Sequence, residues 1–212
     1  MNAPTLYSSL LSANGRKTQA ICIELSIDIL IKEINVYTGD GNKPEYLSIN
    51  SLGQIPTLCH NDLILTESNA ILIYLANEFN GSVLLGNTHR EKAKLLQWLF
   101  WESSQWQPML NIILAASVGH KLAPNSIPKP TQPLNWQSKH CADQLKLLDN
   151  NLVDNKWILG STFSLADFSI AAMTTYFQIS CFPFETYKNI ARWLDDLEKR
   201  PAWKNTQHDL WQ

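Results

Sequence analysis

The chain changes character near residue 80. Before that point strand-like and helix-like patterns alternate; beyond it every periodic stretch has a helical period. Residues 5–7 read as a short strand. Residues 12–26 carry Ala20, Ile21, Ile23 and Leu25 and suit a helix. Residues 30–36 are β-branched with polar breaks, a second strand. Residues 38–42 hold two glycines and an aspartate, a loop, and 43–47 form a short helical turn. Residues 56–60 and 63–66 flank Asn61-Asp62, a hairpin signal. Residues 68–79 then return to helical spacing through Ala70, Ile71, Ile73, Leu75 and Ala76. The order β-α-β-α-β-β-α predicts an α/β unit over 1–80, followed by a linker at 81–87 and an all-helical unit over 88–212.

In the second unit Thr88 and Glu91 form a capping box at the head of a long helix, expected to reach about residue 116 with a kink at Pro108. Residues 123–133 contain four prolines and read as a loop, and 134–152 as a helix. Ser164 and Asp167 form a second capping box, with Phe163 and Phe168 at the staple positions around it. Residues 187–200 are helical and stop before Pro201. Hydrophobic residues make up 45% of the 212, which supplies a core and argues against disorder. The net charge of −2, with no Lys/Arg cluster longer than a pair, argues against nucleic acid or an anionic membrane as partner. The start lacks the basic region of a signal peptide, and the apolar stretches near 112–118 and 170–173 are too short to span a bilayer, so a cytoplasmic protein is expected. Cys22, Cys59, Cys141 and Cys181 show neither C-x-x-C nor metal-type spacing; they read as small buried hydrophobes, and no metal is expected.

Four places in the first unit carry candidate chemistry. Pro56 opens a strand, where its missing N–H must not be needed. If the Ile55–Pro56 bond is cis, the Ile55 backbone turns outward and can pair with an extended peptide; the alternative is an ordinary edge-strand proline. Glu67-Ser68 stands between a strand and a helix. Ser68 can cap that helix, and the free N–H groups there can also hold a carboxylate, with Glu67 beside it to take an ammonium. Ser12 stands where the first helix begins, so its hydroxyl either caps that helix or donates to a ligand sulfur; Ser9 and Asn14 are rivals. A thiol of ordinary pKa is only ~3% ionised at pH 7, and lowering the pKa by ~2 units takes about 2.7 kcal/mol of differential stabilisation. Lys43 can meet a carboxylate or remain a solvated surface lysine.

The run Lys43-Pro44-Glu45-Tyr46-Leu47-Ser48-Ile49-Asn50, then Gly53-Gln54-Ile55-Pro56-Thr57-Leu58, then Thr66-Glu67-Ser68-Asn69-Ala70-Ile71, resembles the N-terminal half of the cytosolic glutathione transferase superfamily. Ile158-Leu159-Gly160 with Ser164-Leu165-Ala166-Asp167-Phe168, and Trp193-Leu194 through Arg200-Pro201-Ala202-Trp203, resemble its C-terminal half. The resemblance covers nearly the whole chain in order. It implies a thioredoxin-like α/β domain joined to an all-α helical bundle, with glutathione as co-substrate, a homodimer, and a role in detoxification by conjugating the glutathione thiolate to small hydrophobic electrophiles.

Carried over, it implies a cis bond before Pro56, with Ile55 pairing to the cysteinyl unit, Glu67 and Ser68 at the γ-glutamyl end, and Gln54 helping at a carboxylate. Leu6-Tyr7 … Leu10-Leu11-Ser12 … Arg16 looks like the serine-type theta and phi classes, closest to their bacterial members, which puts the catalytic serine on Ser12; Tyr7 is the second choice. The beta-type cysteine is absent, since no cysteine precedes Cys22. The chain has Gly41-Asn42 where theta and phi members carry histidine or lysine, so Lys43 is the substitute expected at the glycine carboxylate. The second-substrate site is expected between the halves, Leu10 and Leu11 facing Trp101, Gln105, Trp106 and Met109, with Trp211 as a lid. A glutathione-dependent peroxidase or disulfide reductase, and a non-catalytic glutathione-binding scaffold, are the alternatives.

Overall fold

A computed structural model of the chain describes residues 3–123, 125, 127–129, 136, 138–180 and 182–211. Most of the expected proline-rich loop, the first residues of the expected 134–152 helix, and Cys181 lie outside the described residues. Strands β1 (Thr5–Ser8), β2 (Leu30–Glu33), β3 (Thr57–His60) and β4 (Leu63–Leu65) form one sheet in the order β2-β1-β3-β4. β1 and β2 are parallel, joined through α1 (Ala13–Glu24); the other two pairings are antiparallel. Alternation sends Leu6 and Leu58, register partners across β1 and β3, fully inside against α1 and α3 (Ser68–Glu78). Tyr7 and Thr57 take the other face, where α2 (Pro44–Leu47) lays Tyr46 over them. The Tyr7 and Tyr46 rings are 5.6 Å apart, and the Tyr46 hydroxyl is 2.9 Å from Thr57 Oγ1.

β2 is shorter than the expected 30–36. All four of its residues are exposed, as suits an edge strand with charged side chains. The chain then turns because Asn35 Oδ1 accepts from Tyr37 N–H at 3.0 Å and caps a 3₁₀ turn, Val36–Thr38. That local cap overrides the β preference of Val36. Inside the expected linker a further 3₁₀ turn, Ser82–Leu85, buries Leu84 and Leu85.

The remainder is helical: α4 (His89–Trp101), α5 (Gln107–Leu122), α6 (Lys139–Asn151), α7 (Leu165–Ala171), α8 (Lys188–Glu198) and α9 (Pro201–Lys204). Both capping boxes form, at Thr88/Glu91 and at Ser164/Asp167, and the Phe163 and Phe168 rings meet edge to face 4.8 Å apart. The single long helix expected after Thr88 is corrected. Five residues, Glu102–Trp106, take a π-helical turn between α4 and α5, and Pro108 falls in the first turn of α5 rather than at a kink. Proline has no N–H for the carbonyl four residues back, and the wider turn ahead of it absorbs the mismatch. α6 begins at Lys139; Trp136 instead sits buried in a turn, donating to the Ser180 carbonyl at 3.2 Å. The halves meet along α1: the Arg16 guanidinium lies 3.8 Å over the Trp203 ring, and Lys17 pairs with Glu102. Among the described residues no helix is long and apolar enough to cross a membrane.

Candidate functional site

A cleft of about 530 Å³ runs between the sheet's loop ends and the α4–α5 junction. On one side stand Gln54, Ile55 and Pro56, then Glu67 and Ser68 at the head of α3, with Asn14 from the first turn of α1. The Ile55–Pro56 bond is cis. The Gln54 carbonyl is anchored by the Tyr46 hydroxyl and by Asn50 Nδ2, at 2.9 Å. The next main-chain groups, the Ile55 N–H and C=O, have no hydrogen-bond partner among the described residues. An extended ligand backbone can therefore pair there.

Glu67 holds φ 65° and ψ 108°, a conformation that L-residues rarely adopt, and its exposed carboxylate borders the cleft. The structure makes Glu67, not Ser68, the residue preceding α3; Ser68 is the first helical residue, and its hydroxyl donates to Asn14 Oδ1 at 3.2 Å instead of capping. That bond ties the N-terminus of α3 to that of α1. Two helix ends, each favouring negative charge, thus converge on one end of the cleft. Ser12 does cap α1: its Oγ accepts from Gly15 N–H at 3.3 Å, which leaves the hydroxyl proton to donate. Ser12 is half-buried, two residues before the cleft-lining Asn14. Ser9 is buried, and its Oγ is occupied in the turn by Leu11 N–H at 3.2 Å.

Other expected residues fall elsewhere. Tyr7 points to the α2 face, its hydroxyl 3.4 Å from Lys32 Nζ, and lines a separate groove that also holds Lys43. Lys43 is exposed and paired with Asp40 at 2.6 Å, which raises the lysine pKa and lowers that of the aspartate. Neither residue borders the cis-proline cleft, because strand alternation and α2 turn them away from it.

The structure does not bring the expected second-substrate residues to this cleft. Trp106 is fully buried, stacks on Trp101 at 5.3 Å and donates to the Ile170 carbonyl at 3.0 Å. Trp101 donates to Gln144 Oε1 at 2.7 Å, Met109 is core, and Gln105 is exposed away from the cleft. Leu10 and Leu11 are half-buried and do not border it either. Trp211, expected as a lid, is wholly buried, edge-on to Tyr176 at 4.9 Å. The π turn sets Trp101 and Trp106 one wide turn apart on the face that enters the core with Met109, and it leaves Gln105 on the outside. The helical wall of the cleft is instead Leu96, Leu99, Phe100, Ser103, Gln107, Pro108 and Asn111, with Glu102 at its floor.

Sequence reasoning missed that floor and also missed Tyr176. Its hydroxyl accepts from Ala13 N–H at 3.0 Å and donates to the Leu11 carbonyl at 3.2 Å, across 163 residues of chain. No local pattern signals a contact so distant. Among the described residues no group of three or more His, Cys, Asp or Glu could hold a metal ion.

An unpaired main-chain edge, two converging helix ends and the exposed Glu67 carboxylate suit a small zwitterionic peptide. Comparison with known proteins points the same way. Residues 3–77 match the glutathione S-transferase N-terminal domain, and residues 120–201 match the C-terminal domain. Glutathione S-transferase F10 of Arabidopsis thaliana is 27% identical over 94% of each chain. The disulfide-bond oxidoreductase YfcG of Escherichia coli is 26% identical over 89% of this chain and 87% of its own. A solved glutathione S-transferase-I bound with lactoylglutathione superposes with a TM-score of 0.84 at 24% identity, covering 97% of this chain and 99% of that one. With both domain models matched in order and relatives aligned nearly end to end, the chain belongs to the glutathione S-transferase family.

Proposed function

We infer that the protein is a glutathione S-transferase that conjugates the glutathione thiolate to small apolar electrophiles. The observation that carries this is the Ser68–Asn14 bond, which brings the heads of α1 and α3 together opposite the unpaired Ile55 main chain. Glutathione lies extended across that gap. Its γ-glutamyl carboxylate meets Ser68 and the α3 amides, its ammonium meets Glu67, and its cysteinyl backbone pairs with Ile55 beside cis-Pro56. Gln54 and Lys43 are our candidates for the glycine carboxylate; Lys43 would have to leave Asp40 and swing across from the neighbouring groove. Ser12 donates to the sulfur, aided by the dipole of α1, and keeps it as thiolate. The thiolate attacks an electrophilic carbon, and the leaving group departs with its electron pair. Phe100, Leu96 and Pro108 supply the apolar surface for that partner.

The finer placement, with the serine-type theta- and phi-like bacterial members, rests on Ser12 at the head of α1. We place the domains at 1–80 and 88–212, with 81–87 between them, and the protein in the cytoplasm. Leu52 and Phe100, each 71% exposed on facing sides of the cleft, support a homodimer, which sedimentation equilibrium reads directly. A second reading, glutathione-dependent disulfide reduction, is favoured by the YfcG relative and by Asn14, a polar residue that borders the cleft with its Oδ1 engaged by Ser68.

The test compares aryl halide conjugation, hydroperoxide reduction and disulfide reduction in wild type and Ser12→Ala. Wild type is expected to conjugate and to show the thiolate absorbance of bound glutathione at neutral pH. Ser12→Ala is expected to lose that band and on the order of 10–100-fold in conjugation. A band that survives in Ser12→Ala removes the serine assignment; binding without turnover in all three assays leaves only a scaffold.

A further inference from the structure

The turn that presents Ser12 is held from the other half of the molecule by one atom. Tyr176 lies in the 3₁₀ segment Ala172–Ile179 that continues α7, and it is 5% exposed. Its phenol oxygen accepts from the Ala13 N–H at 3.0 Å and donates to the Leu11 carbonyl at 3.2 Å. Those two groups flank Ser12 on either side, so the serine is the single residue inside a loop closed by that oxygen. Ala13 is the first residue of α1, where a backbone N–H has no partner within the helix. Leu11 belongs to the preceding turn, where Ser9 Oγ accepts from its N–H. Tyr176 thus closes the one side of the turn that the turn cannot close itself.

The clamp is itself braced. The Trp211 ring stands edge-on to the Tyr176 ring at 84° and is wholly buried. The Tyr37 phenol, from the turn after β2, lies close enough to interact electrostatically with Tyr176. Burial raises the Tyr176 pKa well above the ordinary tyrosine value, so the phenol stays protonated and keeps its donor to Leu11.

We propose that Tyr176 is a positioning residue for the Ser12 hydroxyl, fixing it by bridging the backbone groups on either side. The proposal rests on Ser12 being the group that stabilises the thiolate. A hydroxyl that must lie within hydrogen-bond reach of a sulfur is useful only if its backbone is fixed, and a capped helix end alone leaves the residue before it free to rock. The clamp comes from the helical half, so the docking of the two halves sets the serine's position.

The experiment is a pH titration of bound-glutathione thiolate absorbance in wild type, Tyr176→Phe, Ser12→Ala and the double variant, with steady-state kinetics on an aryl halide. Tyr176→Phe is expected to raise the bound thiol pKa by about one unit, a tenfold loss of thiolate below that pKa. Its kcat at pH 6.5 should fall to match, while KM for glutathione stays within about twofold, since Glu67, Ser68 and Ile55 are untouched. In the Ser12→Ala background Tyr176→Phe should add nothing. If Ser12→Ala raises the pKa and Tyr176→Phe does not, the clamp is wrong and the serine assignment stands. If Ser12→Ala leaves the pKa unchanged, the serine assignment falls and the proposal with it.

Wild-type amide hydrogen exchange needs no variant to fold. Ala13 N–H should be protected like a helix-interior amide, and exchange at the rate of a free N-terminal amide would overturn the proposal.

Discussion

At Asp167 four donors converge on a carboxylate with no exposed surface. The N–H groups of Ile158 and Ser164 and the Trp193 indole lie at 2.9 Å, and the Ser164 hydroxyl at 3.0 Å. This is a cap, a loop anchor and an α8 tether in one side chain, and it is remote from the cleft. Burial pushes its pKa up to about 6, against the pull of those hydrogen bonds. The sign follows from comparison with an unfolded value near 4. Between about pH 4 and pH 6 the folded state holds the proton that the unfolded state has released, so stability falls as pH rises through that window. Relative to Asp167→Asn, which does not titrate, wild type should lose on the order of 2–3 kcal/mol across it. Denaturant melts at each half pH unit check this, and parallel curves for the two proteins would show that Asp167 keeps an ordinary pKa. Asp167→Ala strands several buried donors at once, and a loss of about 3–5 kcal/mol is expected at any pH.

The π turn at Glu102–Trp106 does comparable work at the scale of an element. It adds a residue to the helix and so sets which face of α5 enters the core: Met109, Leu110 and Leu114 go in, while Ile112 is 81% exposed. Deleting the exposed Ser104 should restore α-helical phase and turn α5 by roughly 100° against α4. Three large apolar side chains then leave the core, each worth about 1.5–3 kcal/mol. Thermal melting and glutathione binding should both collapse in the deletion, while Ser104→Ala stays within about 0.5 kcal/mol of wild type. A deletion that melts like wild type would mean that the turn is incidental.

The same element marks where the sequence stopped being readable. Capping boxes at Thr88 and Ser164, the hairpin at Asn61-Asp62 and the helices behind Ser12 and Glu67 were legible because each is encoded within a few residues. Gln54, Ile55, Pro56, Glu67 and Ser68 all border the cleft; local signals singled out Ile55, Pro56, Glu67 and Ser68, and Gln54 came only from the family resemblance. The π turn has no local signature, so unbroken α-helical spacing did not show that Trp101, Trp106 and Met109 pack away from the cleft. That Tyr7 and Lys43 line a neighbouring groove was not legible for a related reason: only the tertiary position of α2 says which face of β1 opens to the cleft.

Across the whole molecule, the two halves are joined by charges that water does not reach. Lys17, on α1, and Glu102, at the start of the π turn, have no exposed side-chain surface and sit 3.5 Å apart. Lys17 Nζ also donates to Asn69 Oδ1 at 2.9 Å and to Ser169 Oγ at 3.4 Å, and Asn69 Nδ2 donates to Glu102 Oε2 at 2.9 Å. Burial lowers the Lys17 pKa, and Glu102 opposes that shift. Such a pair contributes little net stability compared with apolar side chains of the same volume, yet removing one member leaves an uncompensated buried charge. Lys17→Met should therefore cost about 3–5 kcal/mol, roughly 6–20 °C of melting temperature for a chain of this size. Lys17→Met with Glu102→Leu should recover most of it.

Glutathione binding should not recover in parallel, because Asn69 and Glu102 both border the cleft and Asn69 is the second residue of α3. With Lys17 and Glu102 gone, Asn69 loses two of its hydrogen bonds and the first turn of α3 part of its brace, so KM for glutathione should stay raised severalfold in a protein that melts normally. Equal melting losses in the single and double variants would mean that Lys17 matters through its packing and not through its charge. A double variant with normal KM would show that the buried pair joins the halves without shaping the site between them.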